Sequence, residues 1–154
     1  MAGMPLMPRA AVRFGFLGLG PLVISGLITL SDDPGTARIG ALSFSIYGAA
    51  LLSFLGGVRC GIEIARVEPP SSLRLFFSAL PALSGWALAL FVSVTWIFGA
   101  ASAFAGLFAA QYVWDHKSAN AGAPDWYPLL RQVLTGGAMI ACMLIPMAAL
   151  LRRI

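Results

Sequence analysis

Five side chains near the ends of apolar runs have types that could do chemistry. Arg59 and Glu63 stand four residues apart, on one face of a helix; Asp115 and His116 close another run; Arg131 lies just inside a third. Ionisable groups within a membrane are costly and are retained for pairing or for function. By spacing, Arg59 can pair with Asp115 or Glu63, and Glu63 with Arg131. Such a set has three uses. It can clamp helices together at a cytoplasmic rim, with the long side chains partly reaching water. It can hold an anionic headgroup, a phosphate or a quinone-like ligand, or it can take part in a reaction. The clamp is the first expectation and the ligand site the second.

The remaining candidates point away from catalysis. His116 is the only histidine, and one imidazole without further ligands builds no zinc site. Cys60 and Cys142 lie inside apolar runs with no CxxC spacing, which fits small buried hydrophobes rather than metal or redox work. The chain has no HExxH, GxSxG or phosphate-binding loop, and no acidic metal cluster. No ionisable residue falls near the middle of a predicted span, where an ion-coupled transporter keeps its relay. An odd number of spans without an internal repeat also speaks against a two-fold transporter within one chain. The expectation is a protein that is not an enzyme and uses no cofactor or metal.

What positions these residues is a very apolar chain. Of its 154 residues 59% are apolar and 10% charged, whereas soluble domains run at about 45–50% and about 25%. With a mean hydropathy of +0.87, too few polar side chains exist to cover a water-facing surface, so the excess must face lipid. The fold class that follows is all-α, a polytopic membrane helix bundle forming one domain over residues 1–154. The net charge of +4 resides mostly at the ends of apolar runs, where it sets orientation and meets anionic headgroups rather than nucleic acid. Nine of the ten basic residues are Arg, which with abundant Ala and Gly suggests a GC-rich bacterial genome.

Crossing a hydrocarbon core of about 30 Å takes about 20 apolar residues, and five spans are predicted, over about 14–31, 39–64, 75–91, 96–112 and 128–151. The first also fits the opening of a signal peptide, but no small-x-small site follows it. Asp32, Asp33 and Pro34 stop it, and Pro69-Pro70 follow the second. The run from Leu73 to Trp114 is twice the bilayer as one helix and must turn back, with the turn expected at Val92-Ser93-Val94-Thr95. A polar loop is expected over Asp115 to Asp125. Pro21, Pro81 and Pro146 would kink their spans. Basic residues Arg9, Arg13, Arg66, Arg74, Lys117 and Arg131 lie on one side, against Arg38, Arg152 and Arg153 on the other. The positive-inside rule then places the N-terminus in the cytoplasm and the C-terminus in the periplasm.

The second span carries small residues at every fourth position: Ala41, Ser45, Ala49, Ser53, Gly57 and Gly61. Such a row lets another helix approach closely, whether from the same chain or from another subunit. The span is expected to be central in the bundle.

The run from Tyr47 to Gly57, Tyr-Gly-Ala-Ala-Leu-Leu-Ser-Phe-Leu-Gly-Gly, resembles the signature of a membrane family, domain of unknown function 3429, which includes the transmembrane protein 69-like proteins of animals. Tyr112-Val113-Trp114-Asp115 and Trp126-Tyr127-Pro128-Leu129-Leu130-Arg131 fit the same pattern. Cys60 departs from it, standing where members often carry an aromatic residue. The resemblance implies a five-helix protein of bacterial inner membranes with mitochondrial relatives and no established activity. The functional expectation is a non-enzymatic accessory, assembly or structural subunit that packs against other membrane subunits or its own copies in the lipid bilayer. The alternative is a small transporter or binding protein for an anionic or lipid-like ligand at the cytoplasmic rim.

Overall fold

A computed structural model describes residues 7–65, 69–91, 97–118 and 123–151. Its five α-helices are α1 (Arg9–Ile28), α2 (Pro34–Ile64), α3 (Ser72–Leu90), α4 (Ile97–Ser118) and α5 (Tyr127–Leu151). All five are long and apolar enough to cross a membrane.

Their ends differ from the predicted spans where a local cap or a buried partner outweighs hydropathy. Helix α1 ends at Ile28, short of the expected residue 31 and before Asp33, which instead caps the start of the next helix. Its carboxylate accepts a hydrogen bond from the Thr36 amide at 2.7 Å, and Pro34 occupies the first turn, where its missing N–H costs nothing. Helix α2 therefore begins at Pro34 rather than Ile39 and runs 31 residues, about 46 Å at 1.5 Å per residue. Helix α1 begins at Arg9, directly after Pro8, rather than at Phe14. The fourth span continues past Tyr112 to Ser118, so Asp115 and His116 are helical rather than the start of a loop. The expected turn at Val92-Ser93-Val94-Thr95 lies outside the described residues; Leu90 and Ile97 bracket it.

The helices close a ring, α1 on α2, α2 on α3, α3 on α4, α4 on α5 and α5 on α1, with α2 and α4 also meeting across it. Between them Phe44 and Phe104 meet edge to face at 5.9 Å, packed with Leu22, Leu52, Phe108 and Ile145. The outer surface keeps large apolar side chains such as Phe14, Leu17, Phe54 and Ile140 exposed, as a lipid-facing surface requires.

Glycines on α2 set how closely its neighbours approach. A Cβ on Gly40 would stand 2.5 Å from the Thr29 nitrogen after α1, one on Gly48 3.0 Å from the Phe104 ring of α4, and one on Gly56 2.4 Å from the Ser78 carbonyl oxygen of α3. Each step of eight residues turns the helix by about 80°, which is why three evenly spaced glycines serve three different partners. The predicted small-residue row turns by about 40° per step, so it does not stay on one face. Ala41 and Ser45 are buried, Ala49 is half-buried beside Gly85, and Ser53, Gly57 and Gly61 emerge on the outside.

Candidate functional site: a buried charge cluster beside an apolar cavity

Three of the five candidate side chains converge. Asp115, on α4, receives Arg59 of α2, Nε to Oδ1 at 3.3 Å, and Arg131 of α5, whose Nε donates to Oδ2 at 2.8 Å. The Nη2 of Arg131 bonds the same oxygen. Gln111, one turn earlier on α4, donates to Oδ1 at 3.4 Å. Asp115 is 4% exposed and Arg131 5%. One carboxylate thus joins α2, α4 and α5; Arg59 pairs with one of the two partners its spacing offers, while Arg131 pairs with Asp115 rather than with Glu63. Counted along their helices, the three residues lie about 11–15 Å from the helix midpoints, near the edge of a hydrocarbon core about 30 Å thick.

Glu63 and His116 are placed differently. Glu63 is buried and faces the connection to α3: its Oε1 accepts from the Ser71 amide at 3.0 Å and pairs with Arg74 Nε at 3.2 Å. Four residues beyond Arg59, it has turned by about 40° and moved about 6 Å toward the helix end, which brings it to the start of α3 rather than to the Arg131 guanidinium, engaged on Asp115. His116 points outward, its ring stacked on Tyr112 at 5.9 Å. Among the described residues no three His, Cys, Asp or Glu side chains gather as a metal site would require. Of the residues that spacing missed, Gln111 was findable, since it stands four before Asp115 on one helix. Arg74 and Ser71 were not, because their role depends on how α3 folds back.

Beside the cluster a cavity of about 310 Å³ opens between α1, α2 and α5. Gly15, Gly18 and Leu19 of α1, Leu51 and Leu55 of α2, and Leu134 and Ala138 of α5 form its apolar wall. Arg131, Thr135, Tyr127 and Trp126 give it a polar end. Small residues on α1 make the room: nothing stands within 4 Å of where a Cβ on Gly18 would lie. The Gly18 carbonyl accepts the Tyr47 hydroxyl at 2.6 Å, fixing α1 to α2 there.

The family model described as "Protein of unknown function (DUF3429)" matches residues 7–147. Two curated proteins called transmembrane protein 69 are similar. The one from Xenopus tropicalis is 33% identical over 130 residues, which cover 83% of this chain and 50% of the frog protein. The one from Mus musculus is 31% identical over 144 residues, covering 87% of this chain and 54% of the mouse protein. The chain spans about half the length of these curated relatives. No solved structure matches it.

Proposed function

The chain belongs to the DUF3429 family of multi-pass membrane proteins, and from its geometry we propose that it is a non-enzymatic membrane protein that holds a lipid-like ligand between α1, α2 and α5. One observation carries this reading: Arg131 is at once part of the buried charge cluster and part of the wall of a mostly apolar cavity. Ligand sites are concave, mostly apolar and oriented by a few polar groups, at about 300–1,000 Å³, and this cavity of about 310 Å³ falls within that range. An amphiphile would lay its apolar body along Leu55 and Leu134 and turn its head toward Arg131. The clamp on Asp115 would hold that guanidinium in place.

The bias of basic residues supports an inner-membrane orientation with the N-terminus in the cytoplasm and the C-terminus in the periplasm. The polar end of the cavity then opens at the cytoplasmic leaflet. The absence of ionisable residues near the span centres favours binding over ion-coupled transport. The test is photolabelling in nanodiscs with an acyl probe that carries a diazirine at mid-chain. Labelling concentrated on Leu55, Leu134 and Ala138 supports the reading; labelling spread over outward residues such as Phe54 and Ile140 overturns it.

A second reading, an accessory or assembly subunit, is favoured by a separate observation. Gly57 and Gly61 lie exposed on α2, and nothing stands within 4 Å of a Cβ at either. A helix of another subunit or of a second copy would fit closely against that face. Native mass spectrometry in a gentle detergent tests it: Gly57→Leu with Gly61→Leu should abolish a protein complex seen with the unsubstituted chain, and an unchanged complex would rule this face out.

A further inference from the structure

Resting on the reading that the cavity is occupied, we infer that its ligand carries an oxyanion head, a carboxylate or a phosphate, taken by Arg131 together with Thr135. Two independent observations point to this chemistry.

The first is charge. Among the described residues, three guanidinium groups, Arg59, Arg74 and Arg131, pair with two carboxylates, Asp115 and Glu63. The Arg74 side chain is 46% exposed, but those of Arg59 and Arg131 are only 10% and 6% exposed. Both ion-pair with the one carboxylate of Asp115, so among the described residues this buried group carries one more positive charge than negative. An excess buried charge is unfavourable unless an opposite charge or strong acceptors reach it. Arg131 engages Asp115 through Nε and Nη2. A guanidinium carries five N–H donors in a fork that matches carboxylate and phosphate oxygens, so donors remain for a second anion.

The second is a hydroxyl without a partner. Thr135 is 5% exposed and its Oγ1 makes no hydrogen bond. In helices Ser and Thr usually return their hydroxyl to the carbonyl three or four residues back. Ser25, Thr29, Ser78 and Ser84 of this protein all do so. Thr135 does not, and it lines the cavity four residues from Arg131, on the same face of α5. Ser45 is also unpartnered but lies in the core and not on the cavity wall. A ligand oxygen between Arg131 and Thr135 would satisfy the orphan hydroxyl and the excess charge together. The apolar wall beyond takes an acyl chain.

The experiment uses Trp126, which lines the cavity, as the fluorescent reporter in a chain whose Trp86, Trp96 and Trp114 are Phe. Purified protein in a non-ionic detergent is titrated with dibromostearate, whose bromines quench a nearby indole, and with the uncharged dibromostearyl alcohol. Inorganic phosphate is added as competitor. The carboxylate should quench saturably with a Kd about tenfold below that of the alcohol, the scale of a charge-assisted hydrogen bond. Thr135→Val should raise the carboxylate's Kd about five- to tenfold and leave the alcohol's unchanged. Because it removes a hydroxyl that bonds nothing in the protein, this variant should fold even if Arg131 variants do not. Displacement of the probe by phosphate would support the same head chemistry with a soluble anion as its source, and no displacement would support a lipid. Equal binding of acid and alcohol, untouched by Thr135→Val, overturns the oxyanion head while leaving the cavity occupied. No saturable quenching by either probe overturns occupancy itself.

Discussion

Arg131 of α5 donates from Nε to Asp115 of α4 at 2.8 Å, and the same carboxylate is shared with Arg59 of α2. The order of damage from substitutions follows from this sharing. Asp115→Asn leaves two buried guanidinium groups without a counter-charge and should destabilise by about 3–5 kcal/mol, the cost of breaking a buried pair. Arg59→Leu leaves a neutral Asp115–Arg131 pair and removes the excess charge, so its loss should be clearly smaller. Thermal unfolding in detergent measures both. Equal losses would mean that Arg59 matters for packing rather than for charge.

Gly56 and Gly57 are neighbours in sequence and opposites in environment. A Cβ on Gly56 would stand 2.4 Å from the Ser78 carbonyl oxygen, whereas nothing lies within 4 Å of one on Gly57. Gly56→Ala should cost about 1–3 kcal/mol through overpacking of α2 on α3. Gly57→Ala should be neutral or stabilising by up to about 1 kcal/mol through helix propensity. Unfolding midpoints of the two variants check the contrast.

The contrast also shows what was legible in the residues. Five spans could be read because lipid demands unbroken apolar runs, and a shared membrane face for Arg59, Asp115 and Arg131 could be read from where their spans end, but spacing offered Glu63 to Arg131 and the structure gives it Asp115. The start of α2 could not be read from hydropathy, since it depends on Asp33 reaching the Thr36 amide. Nor could the packing glycines be picked out by an every-fourth-residue rule: Gly40, Gly48 and Gly56 each answer a different neighbour, while Gly57 and Gly61 have turned outward. The cavity and the unpartnered Thr135 belong to three helices at once and have no local signature.

Asp33 lies outside the spans, where the amide hydrogen bond from Thr36, with a smaller contribution from the Thr36 side chain, holds its carboxyl below the ordinary value of 3.8. A lowered folded-state value means that the cap's contribution is fully present above the unfolded value and is lost as pH falls through the folded one. The first turn of α2 should therefore loosen only below about pH 4. Asp33→Asn should keep the cap but remove the pH dependence. Amide exchange at Thr36 and Ala37 reads this directly, and an unchanged acid response in the Asn variant would contradict it.

Thr135→Val should leave the unfolding midpoint of delipidated protein unchanged or slightly raised, because the buried hydroxyl it removes makes no hydrogen bond. A marked fall would show that the hydroxyl is bonded within the protein.

Orientation is tested with C-terminal fusions in a bacterial host. The basic-residue bias predicts an active alkaline phosphatase fusion and a dark GFP fusion. The reverse pattern would move the charge cluster to the opposite leaflet.

The most direct test of a ligand-holding cavity is native mass spectrometry of the protein released from membranes, compared with Gly18→Leu. A side chain at Gly18 meets no atom within 4 Å of its Cβ and would project into the cavity that Gly18 lines, so the variant should fold normally. The unsubstituted chain should retain one lipid-like mass that Gly18→Leu loses. Identical lipid retention by the two proteins, or none by either, would contradict the proposal.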